Sequence, residues 1–297
     1  MLYRTASEID FSVDELGVMD LPAQVLMTSP EFFDVKYVIN PHMADKVGTI
    51  DYAKALEEWQ IVQTAYEQVG LNVHVMEGKS GLPDMVFCAN QTLPYQLPGH
   101  GGNGVVLSEM YADERRREVG FFREFFSALG YQTLSLGASE TIHFEGMGDA
   151  LWHPGRFLLW GGYGFRTDLR AYEIVSDSLH VPVCLLELTD EDFYHLDTCL
   201  SILDESTALI YPDAFTPEGL EMIRAVFTRV LEAPEAEARN LFACNAHCPD
   251  RRHVLIQRGC NTTNRLLRDA DFIPIELDTG EYLKAGGSVF CMKQVFW

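Results

Sequence analysis

Two carboxylate-rich turns and one cysteine carry the residue types in this chain best suited to chemistry. His143-Phe144-Glu145-Gly146-Met147-Gly148-Asp149 sets acids between glycines just before an apolar run. Tyr194-His195-Leu196-Asp197-Thr198 puts a His and an Asp two apart, on one face if the backbone is extended. Acids beside a His can form a proton-transfer pair or a cation site. A solvated turn next to a hydrogen-bonded core His fits the same composition. Cys291 follows a Gly286-Gly287 turn near the end of the sequence, but any of the seven cysteines can be a buried core residue, and spacing does not select this one. Cys244, His247, Cys248, His253 and Cys260 form the densest Cys/His group, yet their spacing matches zinc-site patterns poorly. Gly99-His100-Gly101-Gly102-Asn103-Gly104 lacks the following Lys-Ser/Thr of a phosphate loop and reads as a turn between strands.

The elements that must position these residues repeat. Helical spacing appears over residues 51–69, 113–129, 168–179, 217–231 and 263–270, and each segment leads into a β-rich run. In the first, Ala55, Trp59, Val62, Ala65, Tyr66 and Val69 recur at three and four, and Gly70 supplies a stop. Further apolar runs at 86–88, 104–107, 157–160, 208–211 and 253–256 lie between the helices. More than one strand per helix, in units of about 45–60 residues, points to radial repetition as in a propeller rather than to a doubly wound sheet. No Pro/Gly/Ser-rich linker divides the chain, so residues 23–297 are expected to form one domain. The acidic residues 1–22 before it are expected to be a disordered tail, a lid or a partner contact.

Composition excludes several classes. The 297 residues carry 22 Lys+Arg against 44 Asp+Glu, a net charge of −22, which disfavours a nucleic-acid partner and suits a cationic small molecule. With 47% hydrophobic residues the chain is globular, and it has no apolar run of about 18 residues that would span a membrane. Seven irregularly spaced cysteines and no visible secretory signal point to a reducing cytoplasm.

Six ordered blocks together resemble one family: FDVKYVINPHM (33–43), LPDMVFCANQ (82–91), HFEGMGDALW (143–152), GGYGFR (161–166), FYHLDTC (193–199) and YLKAGGSVFC (282–291). The chain is similar to the pentein-fold guanidine-modifying enzymes, closest to the arginine dihydrolase branch related to arginine deiminases and dimethylarginine hydrolases. The resemblance implies an α/β fold, the pentein, a five-bladed α/β propeller with pseudo-fivefold symmetry. It implies Cys291 as nucleophile, His195 as general acid/base and Glu145 as the carboxylate that holds the guanidinium and orients His195. Asp197 and Asp84 would hold the substrate from other sides, Phe87 would pack over its plane, and Asn40 would belong to the same substrate-binding set. No metal or organic cofactor is implied, and the partner would be a cationic guanidino substrate, with a homo-oligomer compatible.

These types suit the chemistry. A guanidinium stays protonated, with a pKa of about 12.5 or above, so its carbon is a poor electrophile until anions localise the charge. Carboxylates bind it bidentately, and a thiolate can then attack through a covalent thiouronium intermediate. Where deiminases and dimethylarginine hydrolases carry Asp at the end of the second block, this chain carries Asn90, as in the dihydrolase branch. An amide donates as well as accepts, so it could hold a neutral ureido product for a second hydrolysis. Arginine would then give ornithine, carbon dioxide and two ammonia; the alternatives are deimination, dimethylarginine hydrolysis, amidino transfer, or binding of a cationic ligand without turnover. The relatives bind the substrate carboxylate with an Arg at the position of Glu109, which would repel a carboxylate and suit the ammonium of agmatine, giving putrescine. Arg166 is retained and could compensate.

Overall fold

The computed structural model describes residues 1–98, 102–137 and 142–297. A two-residue strand, β1 (Leu2–Tyr3), is followed by β2 (Gln24–Thr28), helix α1 (Tyr52–Gln68) and β3 (Asn72–Met76). The helix begins where the Asp51 side chain accepts from Lys54 N at 3.1 Å and ends before Gly70, whose φ of 91° suits a residue without a Cβ. Its buried stripe is Ala55, Glu58, Trp59, Val62, Ala65 and Tyr66, and it carries the chain across so that β3 lies parallel to β2.

The same plan recurs. β4 (Thr92–Gln96) and β5 (Asn103–Leu107) form an antiparallel hairpin, and α2 (Glu118–Ala128) crosses to the parallel β6 (Gln132–Leu134). The turn α3 (Gly146–Asp149) opens the next unit, with β7 (Ala150–Trp152) antiparallel to β8 (Leu159–Tyr163), then α4 (Leu169–Leu179) and the parallel β9 (Val183–Glu187). The turn α5 (Leu196–Cys199) precedes β10 (Leu200–Ile202), β11 (Thr207–Ile210), α6 (Pro217–Val226) and β12 (Arg229–Glu232) in the same arrangement. After α7 (Glu235–Leu241) come β13 (His253–Gln257), α8 (Asn261–Asp269) and the parallel β14 (Ile273–Leu277), with an antiparallel bridge from His247 to Leu255 in place of a first strand. Beyond α9 (Gly280–Leu283), β15 (Gln294–Phe296) returns to pair antiparallel with β2, so the end of the chain completes the first unit's sheet. The described strands thus form five separate sheets in a mixed α/β fold.

Two helix expectations shift. The fourth helix ends at Val226 rather than running to 231, because Val230 and Leu231 pair with Ala208 and Leu209; ladder bonding wins over helical spacing. The second begins at Glu118, after a 3₁₀ turn at Asp113–Arg115 whose arginine is drawn into the interior. The acidic first 22 residues, for which disorder was one expectation, lie against the body: β1 runs parallel to β9, Met19 N donates to Gly155 O at 3.0 Å, and Tyr3 and Met19 are buried. Of the glycine-rich stretch, Gly99, His100 and Gly101 fall outside the described residues, and Asn103 and Gly104 start β5. No helix among the described residues is long and apolar enough to cross a membrane.

Candidate active site

Each unit delivers chemistry from the same place, the segment just before its first strand. Asn90 precedes β4, Glu145 and Asp149 precede β7, His195 and Asp197 precede β10, Asn245 precedes the His247–Leu255 bridge, and Cys291 precedes β15. Close approach of these segments requires glycine at two points. A Cβ at Gly146, where φ is 52°, would lie 2.5 Å from Thr92 O, and one at Gly148 would lie 2.3 Å from Asn90 Nδ2.

Cys291 Sγ lies 3.2 Å from Asp197 Oδ2 and accepts from Asn245 Nδ2 at 3.1 Å. Asn245 also donates to Asp197 O at 2.9 Å, while its Oδ1 accepts from the Ser288 and Cys291 amides at 3.1 and 3.3 Å. One amide therefore ties the cysteine loop to the α5 turn. His195 sits between two carboxylates, with Nε2 3.1 Å from Glu145 Oε2 and Nδ1 3.1 Å from Asp149 Oδ2. Thr167 Oγ1 donates to Asp149 Oδ2 at 2.6 Å and accepts from Glu145 N at 3.0 Å, which holds both acids in register. Asp84 accepts from Tyr37 Oη at 2.6 Å, and its second oxygen has no partner among the described residues.

The electrostatics follow from burial against partners. Burial opposes a charged His195, but Asp149 and then Glu145 outweigh it and raise its pKa to about 9. Burial would raise Glu145, yet the His195 hydrogen bond, Arg166 and Arg115 bring it down to about 2. Asp197 is pushed up to about 6, mainly by burial. Burial and the Asp197 charge push the Cys291 thiol well up, so the thiol holds its proton against the carboxylate. The arrangement can therefore offer a proton from an imidazolium, take one from a thiol, and hold a planar cation between acids.

Asn40, Asp84, Phe87, Asn90, Arg166, His195 and Cys291 line one small pocket, with Arg115 and Tyr194. Glu145 and Asp197 reach it through His195 and Cys291. Glu109 does not: it is exposed, its backbone pairs with that of Phe144 at 3.0 Å in both directions, and it is absent from the pocket wall. Arg166 does line the wall, donating to Ile39 O and reaching Glu145 at 3.5 Å, with its guanidinium 4.8 Å from the Tyr194 ring centroid. His195 and Asp197 do not share a face, because His195 is extended and Asp197 lies in the α5 turn; one meets Glu145 and Asp149, the other Cys291.

Sequence reasoning missed Asp149 as a partner of His195, though it ends a singled-out block, and missed Asn245, which lies inside the Cys/His group weighed for zinc. It also missed Arg115, which reads as part of a solvated charge run in DERRRE but is buried.

A model of the family described as N,N dimethylarginine dimethylhydrolase, eukaryotic, matches residues 38–295. An N(G),N(G)-dimethylarginine dimethylaminohydrolase of Mycobacterium tuberculosis is 37% identical over 270 residues, covering 89% of this chain and 83% of that protein. The bifunctional arginine dihydrolase/ornithine cyclodeaminase ArgZ of Synechocystis sp. is 35% identical over 273 residues, 91% of this chain but 37% of that protein. The chain thus spans a little over a third of that bifunctional relative. The substrate-bound N-terminal domain of ArgZ, an arginine dihydrolase from cyanobacteria, superposes with a TM-score of 0.85 at 33% identity, over 92% of this chain and 97% of that domain. A dimethylarginine dimethylaminohydrolase adduct with S-methyl-L-thiocitrulline shares the fold, with a TM-score of 0.74 at 20% identity over 93% of this chain and 100% of that one.

Proposed function

Because the chain belongs to the dimethylarginine dimethylhydrolase family, whose relatives here act on guanidino C–N bonds, we propose that it hydrolyses the guanidino group of L-arginine twice, giving ornithine, carbon dioxide and two ammonia. The five sheets, each supplying one site segment, support reading the fold as a five-bladed propeller with pseudo-fivefold symmetry around that site. Residues 23–297 would act as one catalytic unit, in the cytoplasm, where seven unpaired cysteines would stay reduced.

In this reading Asp84 and Asp197 hold the guanidinium, Asn40 and Phe87 help to seat it, and Glu145 orients His195. The Cys291 proton passes to Asp197 Oδ2, and the thiolate attacks the central carbon. Protonated His195 donates to the departing nitrogen, which leaves as ammonia. The neutral ring then takes a proton from water, the water oxygen adds to the thiouronium carbon, and the adduct collapses to a ureido group as its hydroxyl proton passes to solvent and Cys291 leaves as the thiolate, which recovers its proton from Asp197. A second round on that group releases the second ammonia and a carbamate, which loses carbon dioxide.

The observation that carries two steps is the orientation of Asn90. Its Oδ1 accepts from Arg115 Nη1 at 2.9 Å, so its N–H group faces His195 and the pocket. A ureido group presents a carbonyl acceptor where a guanidinium presents only N–H donors, and an amide donor matches the former. Arg166 on the wall, with Glu109 outside it, favours a substrate bearing a carboxylate over agmatine. A second reading, hydrolysis of dimethylarginine, is favoured by the family model and the mycobacterial relative.

Incubation with L-arginine, agmatine and dimethylarginine, counting amine released per substrate and identifying the carbon product by mass spectrometry, tests the proposal. Two ammonia with ornithine is the expected result. One ammonia with citrulline would refute the second step, and dimethylamine release alone would select the second reading.

A further inference from the structure

Lys293 lies two residues beyond Cys291, fully buried, with its Nζ 3.1 Å from the Phe290 ring centroid and no hydrogen-bond partner among the described residues. A buried ammonium without an acceptor is costly, and a neighbouring ring face recovers part of that cost. Asp197, the contact of Cys291, holds a second orphan: its Oδ1 is buried without a partner among the described residues while Oδ2 meets the Cys291 thiol. The charged and titratable groups that act on Lys293 are Asp197, Cys291 and Cys88, and His247 feels its charge in turn. Burial lowers the Lys293 pKa to about 7, against the pull of Asp197 and Cys291. Lys293 is absent from the pocket wall, so nothing in the proposed chemistry uses it directly.

We propose that Lys293 is the internal counter-cation of the Asp197–Cys291 pair, a positioning residue that stabilises the negative charge on that pair without entering the substrate pocket. The pair carries one negative charge whichever partner holds the shared proton, and two once that proton has gone. An ammonium in a low-dielectric interior offsets this charge far more effectively than one in water. Methionine would fill the same space without the orphaned charge, so its absence is consistent with a stability cost borne for activity. The inference rests on Cys291 as the nucleophile.

The test is the pH dependence of Cys291 carbamidomethylation by iodoacetamide in the full chain, with Cys291→Ser as the blank. Lys293→Met is expected to slow alkylation about tenfold at pH 6–7, where the Lys293 ammonium is present, with the difference fading as pH rises above about 7. It should lower kcat while leaving KM for arginine within about twofold, and a charge-keeping Lys293→Arg should restore part of the loss. A folded Lys293→Met protein alkylated at the wild-type rate at about pH 6–7 overturns the proposal. Should that variant fail to fold, the coupling is read from its other side, because coupled sites shift each other equally. Asp197→Asn must then lower the titration midpoint of Lys293 read by NMR of ε-¹³C-labelled lysine, because it removes the carboxylate that favours the ammonium, and an unchanged midpoint overturns the proposal. Neither the alkylation rate nor the lysine titration uses a guanidino substrate, so a protein inactive on all guanidines would defeat the functional reading and leave these two measurements intact.

Discussion

Arg115 Nη1 donates to Asn90 Oδ1 at 2.9 Å, and this contact decides which end of the Asn90 amide faces the pocket. With the oxygen engaged, Nδ2 lies 3.3 Å from His195 Nε2. The arginine is itself held rigidly, giving Nε and Nη2 to Glu118 Oε2 at 3.1 and 2.9 Å and Nη2 to the Asp84 and Phe87 carbonyls at 3.1 Å. A residue from the 3₁₀ turn just before α2 thus sets the donor pattern of the active-site wall.

Asn90→Asp should stop the reaction after one step. The carboxylate would still meet Arg115 but would turn an acceptor toward the ureido carbonyl, which repels it. Ammonia per arginine should fall from two toward one, with citrulline as the accumulating product. A variant that still releases two would show that Asn90 does not govern the second step.

Arg115→Leu should destabilise the protein by about 3–5 kcal/mol, because it leaves the Glu118 carboxylate and two carbonyls buried without their donor. Denaturant unfolding reads this directly. Lysine should rescue little, since a single ammonium cannot span the four acceptors that the guanidinium reaches.

Gly148→Ala should damage activity more than stability. Its Cβ would sit 2.3 Å from Asn90 Nδ2 and 3.3 Å from His195 Nδ1, and the Arg115 contact prevents Asn90 from swinging away. A loss of about a hundredfold in kcat/KM is expected, as for displacements of about 1 Å at a reacting centre. Steady-state kinetics beside a melting curve separates the two effects.

The pH profile of kcat/KM should be bell-shaped. Activity rises as Asp197 ionises near 6, becoming able to take the thiol proton, and falls as His195 loses its proton near 9. Stability behaves differently. The raised His195 pKa contributes stability fully below its unfolded value of about 6.5, lost as pH rises through 9. The depressed Lys293 pKa imposes a cost that is full below about 7 and fades toward the unfolded value of about 10.4. The two slopes oppose each other between about pH 7 and 9, so Lys293→Met should show a Tm that falls with pH across that window more steeply than in the wild type. Parallel wild-type and variant Tm curves by calorimetry would contradict this.

Glu109→Arg should leave the arginine-to-agmatine preference within about twofold, because the residue is exposed and outside the pocket wall. Arg166→Gln should instead raise KM for arginine, although it also loosens Glu145. Competition between the two substrates measures both; a switch to arginine in Glu109→Arg would return Glu109 to the specificity role its sequence position suggested.

What the sequence determined by itself was local: the stripe of α1, the Gly70 stop, the alternation of helices with more than one strand, and the residue types in the blocks around Glu145, His195 and Cys291. Those signals depend on neighbours within three or four positions, where periodicity and turn chemistry act. Tertiary structure decided partnership. His195 meets Asp149 and Glu145 rather than Asp197 two residues away, because its backbone is extended where Asp197 enters a helical turn. Asn245 reaches Cys291 from 46 residues away, and Arg115 leaves a run of charges for the interior, because successive units bring their pre-strand segments together. Glu109 aligned with a binding position yet stands in solvent, since a backbone bridge to Phe144 sets its direction. Convergence of this kind arises from strand pairing and burial between segments far apart in the chain, for which no local pattern carries the information.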